Sequence, residues 1–363
     1  MNIGIDASSY ARPLRTGVAR YIGCLVNSIA ALDRDDHFYL FHRLSRLKHR
    51  EHFLRVNRPT FHTRLLLGPL SLPLLRGLDV FHGLDAKLPR FSRGANVVTF
   101  HDLSVFASEE FSPESFRRKK RARYAQLARD ADHVIAVSES TRRGLLEFLG
   151  ADEARITVIP EGVTADFSPR PAEEQRDVRA KYRLERDFVL FVGAISRRKN
   201  VATLLRAFAV VAEKTDLDLV LVGRPGFGHE AEMAPLETLA IADHLHTPGF
   251  VPDADLPALY SAASVFAFPS LYEGFGIPLL EAMACGTPIV ASNTSSIPEV
   301  VGEAGILVPP TQPDQLAEAI IRAAQDESVR ERLRRLGLER VKEFTWERAA
   351  RQTLEVYRRL AAR

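Results

Sequence analysis

Short apolar runs without a polar break recur along this chain, each followed by a stretch with helical spacing. "FVLFVG" at 188–193 and "LVLVG" at 219–223 are the clearest. Runs of this length without alternation mark strands covered on both faces, which belong to parallel sheets wrapped by helices. The first half predicts strands at Asn2–Asp6, Phe38–Phe41, Val80–His82, Asn96–Phe100, His133–Val137 and Ile156–Ile159. The second half predicts Phe188–Val192, Leu217–Val222, Leu245–Thr247, Val265–Phe268, Pro288–Ala291 and Gly305–Leu307. Strands alternating with helices point to an α/β, doubly wound fold, and two such sets point to two domains. A length of 363 residues agrees, being too great for one ordinary core. The seam is expected within Gly162–Arg186, where the chain turns rich in proline and charge. That divides it into 1–168 and 169–345. A final helix, about 346–363, has no strand of its own.

Several function classes lose support from composition. Two distant cysteines, Cys24 and Cys285, make neither a disulfide framework nor a zinc site. The N-terminus lacks the basic start and long apolar stretch of a secretory signal. The most apolar region elsewhere, Leu65 to Leu78, is broken by Pro69, Pro73 and Arg76, so no membrane span is expected. A cytoplasmic protein, either free or peripheral on the inner face of the membrane, is the expectation. Net charge is +3, but residues 1–168 hold 25 basic against 19 acidic side chains, and the remainder 24 against 27. A basic first half suits anionic lipid, nucleic acid or an acidic substrate, and is equally compatible with ordinary surface variation.

Ligands of open parallel sheets bind beyond the carboxyl ends of the strands. Four stretches fall there in the second half. In "VGAISRRKNV", Arg197, Arg198 and Lys199 precede a helix opened by Asn200, a setting suited to phosphate, although three cations on a loop are often just solvated. "VGRPGFGHEA" imitates a dinucleotide fingerprint with Gly226, Gly228 and Ala231, but its loop is too long, so it reads as a binding loop. "PGFVPD", which contains Val251, could present main-chain groups to a flat base. In "PSLYEGFGIPLLEAMACGTPIVAS", Gly274 and Gly276 allow tight geometry around Phe275, and Pro278 suits a first helical turn. The amides of Gly274, Phe275, Gly276 and Ile277 are expected to face an anion. Glu273 and Glu281, eight residues apart, are acceptors for sugar and ribose hydroxyls. A capped helix with an acid in its early turns would explain Glu281 alone.

With these segments in view, the chain resembles the retaining glycosyltransferases of family 4, which have the GT-B fold: two Rossmann-like domains facing across a cleft. "EGFGIPLLEAMACGTPIVAS" is the most specific match; "TGVARYI", "TFHDLSVF", "VIAVSESTRRGLL", "VIPEGV" and "SSIPEVVGEAGILVPP" support it. The resemblance implies that the final helix packs back on the first domain. It implies that Glu281 takes the donor ribose, Glu273 the transferred sugar, the turn 274–277 its sugar or distal phosphate, and Lys199 with Arg198 the diphosphate. His101 would lie near the anomeric carbon, and Gly17 near the diphosphate or acceptor. Ala194 stands where relatives often carry an arginine, which leaves Arg198 as the candidate for that role. Glu161 stands where asparagine is usual, and no catalytic meaning attaches to it. Such enzymes usually need no essential metal and no cofactor beyond the donor.

The combination of motifs looks like bacterial mannosyltransferases of polysaccharide and O-antigen assembly. GDP-mannose is therefore the first donor expected and a UDP-hexose the second, with a glycan or lipid-linked acceptor. A non-catalytic nucleotide-sugar-binding subunit is the rival from another class. Arg12, Arg15 and Arg20 could bind an anionic acceptor, or nothing. A basic helix, with Phe116, Arg117–Lys120, Arg121, Arg123 and Tyr124, reads either as a peripheral membrane surface over 116–124 or as a solvated face. Nucleic acid is the poorer reading, since no recognition motif accompanies the cations. His49 and His52 have no third ligand and read as surface.

Overall fold

The computed structural model describes residues 1–11, 17–89 and 94–362. The chain divides into two compact units. The first comprises Met1–Leu103, Arg118–Gly162 and Thr345–Arg363, and the second Ser104–Arg117 and Val163–Phe344. Arg12 and Arg15 lie outside the described residues.

The first unit is a seven-stranded parallel sheet in the order β3-β2-β1-β4-β5-β6-β7. Its strands are β1 (Asn2–Asp6), β2 (His37–Arg43), β3 (Phe61–Leu66), β4 (Val80–Gly83), β5 (Ala95–Phe100), β6 (His133–Ala136) and β7 (Ile156–Val158). The helix Gly17–Leu32 buries Tyr21, Ile22, Leu25, Val26 and Ile29, the spacing of one face. It packs against the helix Trp346–Ala361, which buries Trp346, Ala350, Leu354 and Tyr357 and is capped by the Thr345 side chain accepting from the Arg348 amide. A buried polar chain ties this last helix to the sheet. The Tyr357 hydroxyl lies 2.6 Å from Nδ1 of His82, and Nε2 of His82 lies 2.8 Å from the Thr99 hydroxyl. Burial holds the His82 imidazole neutral, its pKa pushed down to about 3.

The second unit is a six-stranded parallel sheet in the order β10-β9-β8-β11-β12-β13. Its strands are β8 (Phe188–Val192), β9 (Asp218–Val222), β10 (Leu245–Gly249), β11 (Val265–Phe268), β12 (Ile289–Ser292) and β13 (Gly305–Val308). One core cluster gathers Val189, Phe191, Leu219 and Leu221 with Leu204, Leu205 and Phe208 of the helix Val201–Lys214.

Two features depart from the sequence reading. β3 was not expected: "FHTRLL" lies at the sheet edge, so its exposed Thr63 and Arg64 break the apolar run that flags buried strands. The segment Ser104–Arg117 groups with the second unit, although it lies inside the expected first domain. The basic helix Glu114–Asp130 therefore starts in one unit and continues in the other.

Removing the Tyr357 hydroxyl leaves Nδ1 of His82 without its partner in a fully buried site. Tyr357→Phe is expected to destabilise the first unit by about 1–3 kcal/mol, the cost of an orphaned buried polar group. Urea unfolding followed by circular dichroism tests this; an unchanged midpoint would contradict it.

Candidate functional site

In the second sheet β8 lies between β9 and β11, so the chain leaves it in one direction and later returns to its other side. That reversal opens a crevice at the carboxyl ends of β8 and β11. The loop after β8 makes a single 3₁₀ turn, Arg197–Lys199, closed by Asn200 in the left-handed region at φ 59°. Asparagine is among the few residues that tolerate this conformation. Its side-chain amide donates to Pro269 O at 3.0 Å and Pro310 O at 2.7 Å, and its Oδ1 accepts from the Thr203 hydroxyl at 2.8 Å. The Leu271 amide donates to Arg198 O at 2.8 Å. The loops after β8 and β11 are thereby fixed to one another.

Glu273 sits where they meet. Lys199 Nζ lies 2.6 Å from Glu273 Oε1, and an Arg198 guanidinium nitrogen lies 2.7 Å from Oε2. The same nitrogen donates to Tyr272 O at 2.6 Å. Lys199 also stands 4.4 Å from the centre of the Phe268 ring, a cation–π contact. Glu273 and Lys199 are both buried. Burial opposes ionisation of Glu273, but Arg198 and Lys199 outweigh it and hold the carboxyl below its usual range. Burial draws the Lys199 ammonium down, Glu273 acts against that, and Arg198 adds to it. Two cations against one carboxylate leave the cluster with one net positive charge.

The backbone beyond Glu273 is held just as firmly. Its amide donates to Ser295 Oγ at 2.8 Å, and the Ser296 hydroxyl donates to Glu273 O at 3.0 Å and Phe275 O at 2.8 Å. Gly276, at φ 113°, caps the helix Ile277–Ala284, with Pro278 in its first turn. A side chain at Gly276 would be strained by that φ and would meet Leu279 at 2.9 Å. Glu281 is buried on this helix and accepts from the Tyr260 hydroxyl at 3.0 Å. Val251 follows β10 and is buried.

Arg197 does not join its neighbours. It pairs with Glu232 at 3.3 Å and Glu110 at 3.1 Å. Successive residues of a 3₁₀ turn point about a third of a turn apart, so three consecutive cations do not share one target. The glycine loop after β9 is zipped onto the loop after β8: the Ile195 amide donates to Arg224 O at 2.9 Å and the Gly226 amide to Ile195 O at 2.8 Å.

In the first unit His101 follows β5, half-buried against Tyr21 with ring centroids 4.5 Å apart and nearly perpendicular. Its Nε2 lies 2.8 Å from Leu84 O, which accepts only, so Nε2 carries a proton. Its Nδ1 lies 3.2 Å from Glu161 Oε1. A carboxylate there favours a second ring proton. Burial lowers the His101 pKa, but the Glu161 hydrogen bond and charge, the Leu84 carbonyl and Asp85 together raise it above the ordinary imidazole value. Glu161 was noted in the sequence only as a departure, because its meaning depends on a partner 60 residues away. Nearby, at the carboxyl ends of β1 and β4, Lys87 Nζ contacts Asp85 at 2.6 Å and the Ser9 hydroxyl at 2.7 Å, a cluster that no spacing rule flagged. Gly17 opens its helix, and among the described residues nothing lies within 4 Å of an added side-chain carbon.

A raised folded-state pKa means the His101–Glu161 pair stabilises the first unit fully below the unfolded value of about 6.5, and this contribution fades as pH rises through the folded value. Carbon-13 histidine NMR is expected to find His101 titrating above that value in the native chain and below it in Glu161→Gln, where burial is no longer opposed by the carboxylate. Equal titration in both would remove Glu161 from this role.

The comparisons bear on the chain as a whole. The model of glycosyl transferases group 1 matches residues 173–340, and that of Glycosyltransferase Family 4 matches residues 15–167. O-antigen chain mannosyltransferase B of Escherichia coli is 31% identical over 95% of this chain and 96% of its own length. MMP alpha-(1->4)-mannosyltransferase of Mycolicibacterium hassiacum is 35% identical over 66% of this chain and 56% of its own. Sucrose-phosphate synthase of Thermosynechococcus elongatus superposes with TM-score 0.78 at 27% identity, covering 100% of this chain and 99% of that one. HepE of Anabaena, solved in complex with UDP-glucose, superposes with TM-score 0.76 at 21% identity, covering 99% of each chain. Two parallel Rossmann-like sheets, a charged cluster at the switch point of the second, and full-length likeness to a mannosyltransferase identify this chain as a glycosyltransferase of family 4 with the GT-B fold.

Proposed function

We propose that this chain transfers mannose from GDP-mannose to a glycan or lipid-linked saccharide in O-antigen or related polysaccharide assembly, retaining the anomeric configuration and needing no resident metal. The observation that carries this reading is the Arg198–Glu273–Lys199 cluster, with Glu273 and Lys199 buried, at the switch point of the second sheet. As the sugar departs, negative charge accumulates on the diphosphate, and preorganised cations in a buried site lower that barrier most effectively. Lys199 and Arg198 supply them. Each ionised carboxylate oxygen offers more than one lone pair, so Glu273 retains capacity for sugar hydroxyls beside its two cations. Glu281 is assigned to the ribose, the turn 274–277 to the distal phosphate or sugar, and the main chain at Val251 to the base. Gly17 is assigned to the diphosphate or acceptor. His101 is the proposed catalytic residue of the first unit, a role drawn from the resemblance.

The donor choice follows the mannosyltransferase relatives. A UDP-hexose is the second reading, drawn from the UDP-glucose bound by HepE.

Calorimetry with GDP-mannose, GDP-fucose, UDP-glucose, UDP-galactose and UDP-N-acetylglucosamine, with and without chelator, tests the donor. Selective binding of GDP-mannose that survives chelation is the expected result, and selective binding of a UDP-sugar overturns the donor assignment. Glu281→Ala is expected to weaken donor binding about tenfold, the loss of a charged hydrogen bond. Lys199→Ala is expected to slow transfer about a hundredfold while changing donor affinity less. Unchanged affinity and turnover in both variants would overturn the assigned site.

A further inference from the structure

The first unit gathers exposed apolar side chains at one corner. β2 and β3 are parallel, and Arg43 pairs with Leu66 at their ends, so the chain leaves the sheet side by side at Leu44 and Leu67. After β2 comes the 3₁₀ helix Leu44–His52, "LSRLKHREH". After β3 come Leu67, the 3₁₀ turn Gly68–Ser71 and the short helix Leu72–Arg76. Leu44, Leu47, Leu67, Leu70 and Leu74 are exposed by 53, 42, 39, 80 and 44%. They are five of the nine large hydrophobic side chains so exposed among the described residues. Local geometry explains the pattern. Side chains three apart align on a 3₁₀ helix, which puts Leu44 and Leu47 on one line. Leu75 and Leu78 turn inward onto Phe41 and Phe81, and Leu74 turns out.

The charge of the same segments is one-sided. From Arg43 to Arg76 the chain carries eight Lys or Arg and a single acid, Glu51, in a protein of net charge +3. Lys48, Arg50 and Arg76 are exposed beside the leucines. A protein-binding patch concentrates aromatic residues at its centre and excludes lysine there. Here lysine and arginine interleave with leucine, and the exposed set between 44 and 76 holds no Phe, Tyr or Trp. Leucines that enter the acyl boundary beside cations that meet headgroups are the pattern of a surface seated on anionic lipid. No helix among the described residues is long and apolar enough to cross a membrane, so such contact would be interfacial.

The helix Glu114–Asp130 is the weaker alternative, because its cations are partly engaged within the protein. Arg117 donates to Glu109 O at 2.6 Å and Ser112 O at 2.7 Å. Lys120 is largely buried, 3.5 Å from Asp102 and 5.0 Å from the centre of the Tyr124 ring. Phe116 is its one strongly exposed large apolar residue among those described.

We infer that the corner formed by the segments after β2 and β3 docks on an anionic bilayer surface, with Leu44, Leu47, Leu67, Leu70 and Leu74 entering the interface and Lys48, Arg50 and Arg76 on the headgroups. The inference stands apart from the donor assignment, since it is read without donor or acceptor.

The test is co-flotation of the full chain with vesicles of phosphatidylcholine alone and of phosphatidylcholine with about a quarter phosphatidylglycerol. Binding to the anionic vesicles that weakens with salt is expected. Leu70→Ser with Leu74→Ser, both exposed and so tolerable to the fold, is expected to reduce it more than tenfold with every charge intact. Lys48→Ala and Arg50→Ala are each expected to reduce it roughly fivefold, and Arg118→Glu with Lys119→Glu to reduce it less than the leucine pair does. Three results would overturn the inference: no binding of the native chain at low salt, undiminished binding in the leucine variant, or sedimentation showing a self-associated chain that the leucine variant makes monomeric.

Discussion

A buried carboxylate shared between two cations organises the second unit's site. Lys199 in this environment would lose hydration with nothing to replace it, and an uncompensated buried charge is among the costliest features a fold can carry. Glu273 removes that problem by binding Lys199 through one oxygen and Arg198 through the other. The arrangement also fixes the sign of the site. An arginine does not release its proton in proteins, so the cluster keeps a cation even when the ammonium is disfavoured by burial. One surplus positive charge, partly desolvated and already oriented, is what the proposed transfer would use to stabilise a departing diphosphate without reorganisation.

Such a cluster requires backbone that does not yield. Asn200 at φ 59° and Ser295 at φ 51° both occupy the left-handed region without being glycine. Conformations of this kind persist only where surrounding bonds over-determine them. Asn200 is bound through both ends of its side-chain amide. Ser295 accepts from the Glu273 amide, and its neighbour Ser296 ties down two carbonyls of the glycine turn. The carboxylate is thus held by its backbone as well as by its two partners.

How much of this was legible depended on whether a residue's meaning was local. The two sheets were, because uninterrupted apolar runs advertise doubly covered strands; the edge strand β3 was not, because one exposed side mixes polar residues into it. Glu273, Gly276 and Pro278 were visible together, since a strand end, a glycine turn and a helix start lie within a few residues. Arg197 was grouped with Arg198 and Lys199 by adjacency, yet the turn sends it to Glu232 and Glu110. Glu161 and Ser295 carried no local signal, for each acquires its role from a partner supplied by another strand end. Asn200 announced a helix start, but not the two distant carbonyls that it bridges.

The charge balance of the first unit completes the argument. Two half-buried cations at its strand ends are each matched by one acid: His101 by Glu161, and Lys87 by Asp85. Neither pair leaves a surplus charge, whereas the cluster around Glu273 does. In the first unit the Leu84 carbonyl occupies the Nε2 proton of His101, and Glu161 favours a proton on Nδ1 as well. A ring so held is a poor general base, because neither nitrogen has a free lone pair with which to take up a proton. What such a ring presents to its surroundings is positive charge, not a lone pair.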